Sequence, residues 1–261
     1  MRMNTLTRAI VAFALALPGA AIATVVAAPA AQADGCYTWQ RTLSQGRSGD
    51  DVRQLQIRVA GWAGAGGIVR VDGRFGPETA AAVRRFQSAY GLRSDGVAGR
   101  QTFDKIYQLQ DNDCTPAHFS YREMDDNCGR SGWSGGPLSA DRTRENALRT
   151  MWKLEALRHS LGDRPLYVTS GFRSSDCNRR VGGASDSQHL YGNAADLTSR
   201  DRSLCQVARA ARNHGFSGIY GPGYPDHDSH VHVDSRRENN DDRTANRTSW
   251  SAPDCGVGAG D

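Results

Sequence analysis

The 261-residue chain has room for one large domain or two modest ones, and two are expected at this length. Its 32 Lys and Arg face 28 Asp and Glu, a formal net charge of +4; without the first 33 residues, which carry two arginines and no acid, 30 against 28 leaves +2. So small an excess does not indicate a nucleic-acid binder.

The N-terminal segment reads as an export signal. Arg2 and Arg8 flank the start of the apolar run 9–17, and Ala31-Gln32-Ala33 forms an A-x-A cleavage site. A membrane anchor is the lesser reading, because Pro18 and Gly19 interrupt the run and only weakly apolar alanines bring it to spanning length. Residues 1–33 are therefore expected to be removed, leaving an exported chain with no membrane contact.

All six cysteines, Cys36, Cys114, Cys128, Cys177, Cys205 and Cys255, fall in the exported part, and an even count in an oxidising compartment predicts three disulfides. Six cysteines allow 15 pairings, and the sequence does not choose among them. No two cysteines have C-x-x-C spacing, which argues against a zinc ribbon.

Between Cys36 and Cys114 lies a degenerate repeat. Asp72-Gly-Arg-Phe-Gly-Pro-Glu-Thr79 is echoed by Asp95-Gly-Val-Ala-Gly-Arg-Gln-Thr102, both reading D-G-x-x-G-x-x-T. Asp-Gly supplies turn chemistry, and Pro77 followed by Glu78 suits the first turn of a helix. Ala81, Val83, Phe86 and Tyr90 then recur at helical spacing, and the earlier stretch Asp51-Val-Arg-Gln-Leu-Gln56 resembles Ala82-Val-Arg-Arg-Phe-Gln87. A small three-helix bundle is predicted. These motifs, over about residues 40–108, resemble the peptidoglycan-binding domain attached to many secreted cell-wall hydrolases, and the resemblance implies a wall-targeting role.

Residues 111–137 are rich in Asp, Asn, Gly and Ser and read as a linker, so the boundary is placed near Cys114: 34–114 helical, 115–261 a second domain. That second part opens with an amphipathic helix over 140–161, whose Ala147, Leu148, Met151, Leu154, Leu157 and Leu161 form one apolar stripe. Strands are predicted at 165–170, 217–220 and 230–234, and a helix at 202–214. Separated strands without regular βαβ alternation predict an α+β domain with a mainly antiparallel sheet.

Three of the seven histidines fall within Tyr224-Pro-Asp-His-Asp-Ser-His-Val-His232. On a strand, His230, His232 and Asp234 would share one face. A catalytic zinc takes three N or O ligands and keeps a position for water, and His189, Asp196 and one histidine of the HVH triplet complete such a set. Asp196 sits in Ala194-Ala-Asp-Leu197, where a buried carboxylate is costly unless it meets a metal or cation.

Ser187-x-His189-x-x-Gly192-x-Ala194-x-Asp196 followed by His230-x-His232 resembles the signature of the zinc D,D-peptidases that share a fold with lysostaphin-type enzymes and the Hedgehog signalling domain. The likeness is greatest to the secreted D-alanyl-D-alanine carboxypeptidases of that family and spans about residues 128–255. It implies one zinc held by His189, Asp196 and His232, and in Ser170-Gly-Phe-Arg173-Ser174 an arginine that steadies the carbonyl oxygen as it gains charge. Many relatives carry a glutamate three residues before the last zinc histidine; this chain has Ser229 there. The likeness is instead to a branch with a histidine five residues before that ligand, His227, as base, with His230 as a donor to the transition state, and the two roles could be exchanged. Ser187 either bonds substrate backbone or caps a turn.

The resemblance also implies the pairs Cys36–Cys114, Cys128–Cys177 and Cys205–Cys255. It predicts a secreted or wall-associated monomer acting on the terminal D-Ala-D-Ala bond of peptidoglycan stems. A cross-link endopeptidase or a D-Ala-D-Ala dipeptidase with the same site, or a non-catalytic wall-binding protein with a structural zinc, are the alternatives.

Overall fold

The computed structural model describes residues 36–125, 132–238 and 248–258. The export signal and Cys128 lie outside the described residues. The helical half contains α1 (Asp50–Val59), α2 (Pro77–Ala89) and α3 (Arg100–Gln108), the three expected helices. Pro77 occupies the start of α2 with Glu78 in its first turn, where a missing N–H costs nothing and a negative charge is favoured.

The duplicated D-G-x-x-G-x-x-T motif is braced twice in the same way. Gln56 Nε2 donates to Asp72 Oδ1 (3.0 Å), the Arg74 carbonyl (3.0 Å) and Thr79 Oγ1 (3.1 Å), while its Oε1 accepts from the Gly73 N–H (2.8 Å). Gln87 repeats the pattern with Asp95 Oδ1 (3.1 Å), the Val97 carbonyl (3.0 Å), Thr102 Oγ1 (3.1 Å) and the Gly96 N–H (2.9 Å). Both amides are buried, so each turn depends on one side chain that cannot be replaced by water. Gln56→Leu and Gln87→Leu are each expected to destabilise the protein by about 1–3 kcal/mol, read as a lower denaturant midpoint at constant slope. An unchanged midpoint in either variant would show that the amide is dispensable.

The linker contributes α4 (Tyr121–Met124), and α5 (Ala140–Ser160) follows with Ser139 as its N-cap, accepting from the Arg142 N–H. Ala147, Met151, Leu154 and Leu157 of the predicted stripe are fully buried. The two halves share one core. Trp62, in the 3-10 turn Ala60–Trp62 after α1, meets Phe86 and Tyr90 of its own half and His159 and His214 of the other. The Gly64 and Gly66 N–H groups donate to the Asn213 and Arg212 carbonyls (3.1 and 3.0 Å), and His214 Nδ1 donates to the Gly61 carbonyl (2.8 Å).

Burial pushes the His214 imidazole down to about 4, against the weaker upward pull of the Gly61 carbonyl. Between about 4 and the unfolded value of about 6.5 the unfolded chain binds a proton that the folded chain refuses, so stability is lost as pH falls through that window. The loss attributable to His214 is on the order of 3 kcal/mol, and the stability difference between pH 7 and pH 4.5 should shrink in His214→Gln. An identical pH profile in that variant would remove His214 as the cause.

The sheet has the order β1-β2-β4-β3-β5-β6, with β1 (Tyr167–Ser170), β2 (Ala194–Thr198), β3 (Gly218–Tyr220), β4 (Val231–Asp234), β5 (Ser249–Ala252) and β6 (Val257–Gly258). Four of the five pairings are antiparallel, as expected, but β3 and β5 run parallel, so the sheet is mixed. β4 ends beside the first residue of β3, and β5 starts at that same end, with Gly218 opposite both Asp234 and Ser249. Helices α6 (Ser175–Arg180) and α7 (Leu204–Ala211) complete the fold.

Two disulfides have the expected pairing, Cys36–Cys114 and Cys205–Cys255. Cys177 is also disulfide-bonded, and its expected partner Cys128 lies outside the described residues.

Candidate metal centre

One row of side chains crosses four adjacent strands. Ser170 of β1 lies opposite Asp196 of β2, Asp196 opposite His232 of β4, and His232 opposite Tyr220 of β3. Directly opposed residues on an antiparallel pair bring their Cβ atoms within about 5.5 Å on the same face, which is why Asp196 and His232 meet although 36 residues separate them. His189 enters from the 3-10 turn Gln188–Tyr191, which ends at Gly192 in the left-handed region (φ 71°) and feeds β2. A residue with a Cβ there would be strained, so the glycine of the motif turns the chain from His189 toward Asp196.

His189 Nε2, Asp196 Oδ1 and His232 Nδ1 converge, with separations of 3.2, 3.2 and 2.9 Å. All three residues are buried. His189 Nδ1 faces the Gly171 carbonyl at 2.5 Å, and a carbonyl only accepts, so the neutral ring presents a lone pair at Nε2. His232 Nε2 donates to Asp234 Oδ2 (3.1 Å), so its neutral ring presents a lone pair at Nδ1. Two lone pairs and a carboxylate oxygen so close require a positive charge between them.

Electrostatics say the same. Burial would push His232 down, but the carboxylates of Asp196 and Asp234 hold it up at about 9. Burial opposes ionisation of Asp196, yet the imidazoles of His189 and His232 keep its carboxyl well below the ordinary range. Burial lowers His189. Either a proton on His232 or a metal ion meets the demand. Ligand atoms 2.0–2.1 Å from a tetrahedral zinc lie about 3.3–3.4 Å apart, close to the separations here, and two imidazoles with one carboxylate make a zinc-type donor set. Among the described residues this is the single cluster of three such groups.

An outer layer fixes the ligands. Asp234 is fully buried between His232 and Arg236, whose Nε donates to both of its carboxylate oxygens (3.0 and 3.1 Å). Gly218 lies opposite Asp234 in β3, and a Cβ there would overlap the Asp234 carboxylate. Gly218→Ala should therefore push Asp234 off His232 and weaken zinc binding by about 10–100-fold in a competition titration with a chelating dye, as should Asp234→Asn. Wild-type zinc affinity in Gly218→Ala would count against that packing argument.

The other expected residues surround this centre. Arg173 Nη2 donates to Asp196 Oδ2 (2.8 Å) and its Nε to Ser170 Oγ (2.9 Å), so it grips the oxygen of Asp196 that does not face the histidines. His230 precedes β4 instead of lying in it, with Nε2 3.7 Å from Asp196 Oδ1, and burial lowers its pKa. His227 Nδ1 donates to the Pro225 carbonyl (2.6 Å), leaving Nε2 as an acceptor; its ring centre is 4.8 Å from that of His230 and 6.1 Å from that of His232. Ser187 takes the cap position of the 3-10 turn without a side-chain capping bond. Asp228 accepts from the Gly223 N–H (2.8 Å), and Asp234 orients His232. The places of Ser170, Tyr220 and the Gly171 carbonyl depend on strand register and loop path, which no local motif reveals.

A buried cluster of three N/O donors beside a loop carrying two further imidazoles fits one class, a metallohydrolase with one metal ion. The chain belongs to the peptidase M15 family, whose model matches residues 117–234, and it carries a putative peptidoglycan binding domain at residues 48–106. It is 56% identical over 255 residues, 93% of this chain and 96% of that protein, to the zinc D-Ala-D-Ala carboxypeptidase of Streptomyces albus G. An uncharacterized protein of Kitasatospora aureofaciens is 37% identical over 94 residues (36% of this chain, 79% of that protein). The spore cortex-lytic enzyme of Oceanobacillus iheyensis is 36% identical over 85 residues (31% of this chain, 30% of that protein).

Proposed function

We propose that this chain is an exported zinc peptidase that removes the terminal D-alanine from peptidoglycan stem peptides ending in D-Ala-D-Ala. The convergence of His189 Nε2, Asp196 Oδ1 and His232 Nδ1 carries the reading. Bound there, zinc would acidify a water and polarise the scissile carbonyl.

His227 offers Nε2 as the acceptor for the water's proton and returns it to the departing amine, because its Nδ1 is tied to the Pro225 carbonyl and the tautomer is set. His230, nearer Asp196, donates to the developing charge. Arg173 uses two N–H groups on Ser170 and Asp196 and keeps the rest for the oxyanion, so its anchoring costs no reorganisation during the reaction. Ser187, at the mouth of the 3-10 turn, bonds substrate backbone.

Residues 1–33 are the export signal, 34–114 the wall-targeting part and 115–261 the catalytic part of a monomer. Among the described residues no helix is long and apolar enough to cross a membrane.

The test is to incubate the exported chain, residues 34–261, with a stem pentapeptide, a cross-linked muropeptide and free D-Ala-D-Ala, with and without chelator, and to identify products by mass. D-alanine release from the pentapeptide, abolished by chelator and restored by zinc, is expected. Cleavage confined to the cross-link or to the free dipeptide would move the activity to an endopeptidase or a dipeptidase.

A further inference from the structure

A cavity of about 320 Å³ lies where the helical half meets α5, walled by Tyr37, Gln54, Arg58, Tyr121, Arg144 and Leu148. None of these residues belongs to the metal centre. Arg58 is 1% exposed and its polar partners are neutral: Nη1 donates to Gln54 Oε1 (2.6 Å) and to the Gln54 carbonyl (3.4 Å), and Nε and Nη2 donate to Gln110 Oε1 (3.3 and 3.1 Å). Its guanidinium carbon lies 5.8 Å from the centre of the Trp39 ring. The guanidinium of Arg144 lies 3.9 Å from the centre of the Tyr121 ring.

Three carboxylates also line the cavity, and none lies within ion-pair distance of Arg58 or Arg144. Glu145 is bound by Arg53, Asp113 accepts from the Thr115 N–H and hydroxyl (3.1 and 2.6 Å), and Asp141 lies in the first turn of α5, where negative charge suits the helix end. Among the described residues neither Arg58 nor Arg144 has a carboxylate within ion-pair distance. An arginine does not shed its proton, so Arg58 is a buried cation without a counter-ion beside a cavity with two phenols on its wall, a costly arrangement unless an anion enters.

We propose that this junction cavity binds a peptide carboxylate, taken between Arg58 and Arg144, as a second point of attachment to wall peptides. The proposal rests on the wall-targeting reading of the N-terminal half. The two glutamines hold the Arg58 guanidinium and leave one Nη2 N–H uncommitted, which can give a single charge-assisted bond to the carboxylate while Arg144 supplies the second.

The test is an amide-shift NMR titration of the zinc-loaded exported chain with N-acetyl-alanine and with its carboxamide, alongside sedimentation with purified wall sacculi. Shifts at Gln54, Tyr121 and Leu148 with the acid but not the amide are expected. Arg58→Gln and the exposed Arg144→Gln should each weaken binding at least about tenfold, since a charge-assisted bond is lost. Shifts confined to His227, His230 and their neighbours, or equal shifts with acid and amide, would overturn the proposal even where sacculi are bound, and the wall reading would stand. Junction shifts in a protein that does not sediment with sacculi would keep the cavity and overturn the wall reading. If Arg58→Gln loses its dispersed spectrum, Arg144→Gln decides: wild-type affinity in that variant would refute capture between the two arginines.

Discussion

Asp196→Ala is expected to lose zinc and peptide hydrolysis together. Asp196 is the candidate ligand that meets both imidazoles and the arginine: Oδ1 faces His232 and His189 at 2.9 and 3.2 Å, and Oδ2 accepts from Arg173. Without it, two ring nitrogens 3.2 Å apart must share the metal with no anionic ligand, and Arg173 is left beside them as a nearly buried cation. Loss of a group that only orients a ligand costs about 10–100-fold in metal affinity, so loss of the carboxylate itself should exceed that range. Zinc stoichiometry after gel filtration and the rate of D-alanine release measure the two effects separately. Full zinc occupancy in Asp196→Ala would remove it from the ligand set, while full occupancy with no turnover would confine its role to holding Arg173. Arg173→Lys separates these cases further, since a lysine keeps the charge but cannot bridge Ser170 and Asp196 with a planar fork.

The candidate metal site was legible through its likeness to a family signature, because spacing alone does not join His189 and Asp196 to a histidine 36 residues further on. His189 and Asp196 lie on one turn-to-strand segment, and His232 ends the HVH triplet. The repeat in the helical half was legible for a similar reason, down to the glutamine that closes each likeness, Gln56 and Gln87, although the bonds they make were not. What escaped is set by register and by contacts distant in sequence. Nothing local says that β5 returns beside β3 in parallel, that Gly218 must leave room for Asp234, or that Trp62 joins the halves through His159 and His214. Alternation places His230 in a strand, but the loop from Tyr224 continues one residue further and β4 starts at Val231.

Behind the metal row lies a buried charge cluster that no motif announced, and it supports the largest stability prediction. Lys153 of α5 is fully buried, with Nζ donating to the Gly215 carbonyl and Ser235 Oγ (2.8 Å each) and to Glu238 Oε1. Arg149, one turn earlier, pairs with Glu238 Oε2 at 2.8 Å. Glu238 therefore holds the end of the segment that leaves β4 against α5, four residues beyond Asp234. Glu238→Gln removes the only carboxylate shown within ion-pair distance of Lys153 among the described residues and leaves two buried cations facing a neutral amide. Breaking one partner of a buried pair costs about 3–5 kcal/mol, which for a chain of this size lowers Tm by roughly 10 °C. Lys153→Met in the Glu238→Gln background should recover part of that loss, because it removes the unpaired charge and keeps most of the side-chain volume. A double variant no more stable than Glu238→Gln alone would mean that the loss comes from the displaced segment and not from Lys153. Zinc affinity measured on the same variants then reports whether anchoring at Glu238 reaches back through Asp234 to His232.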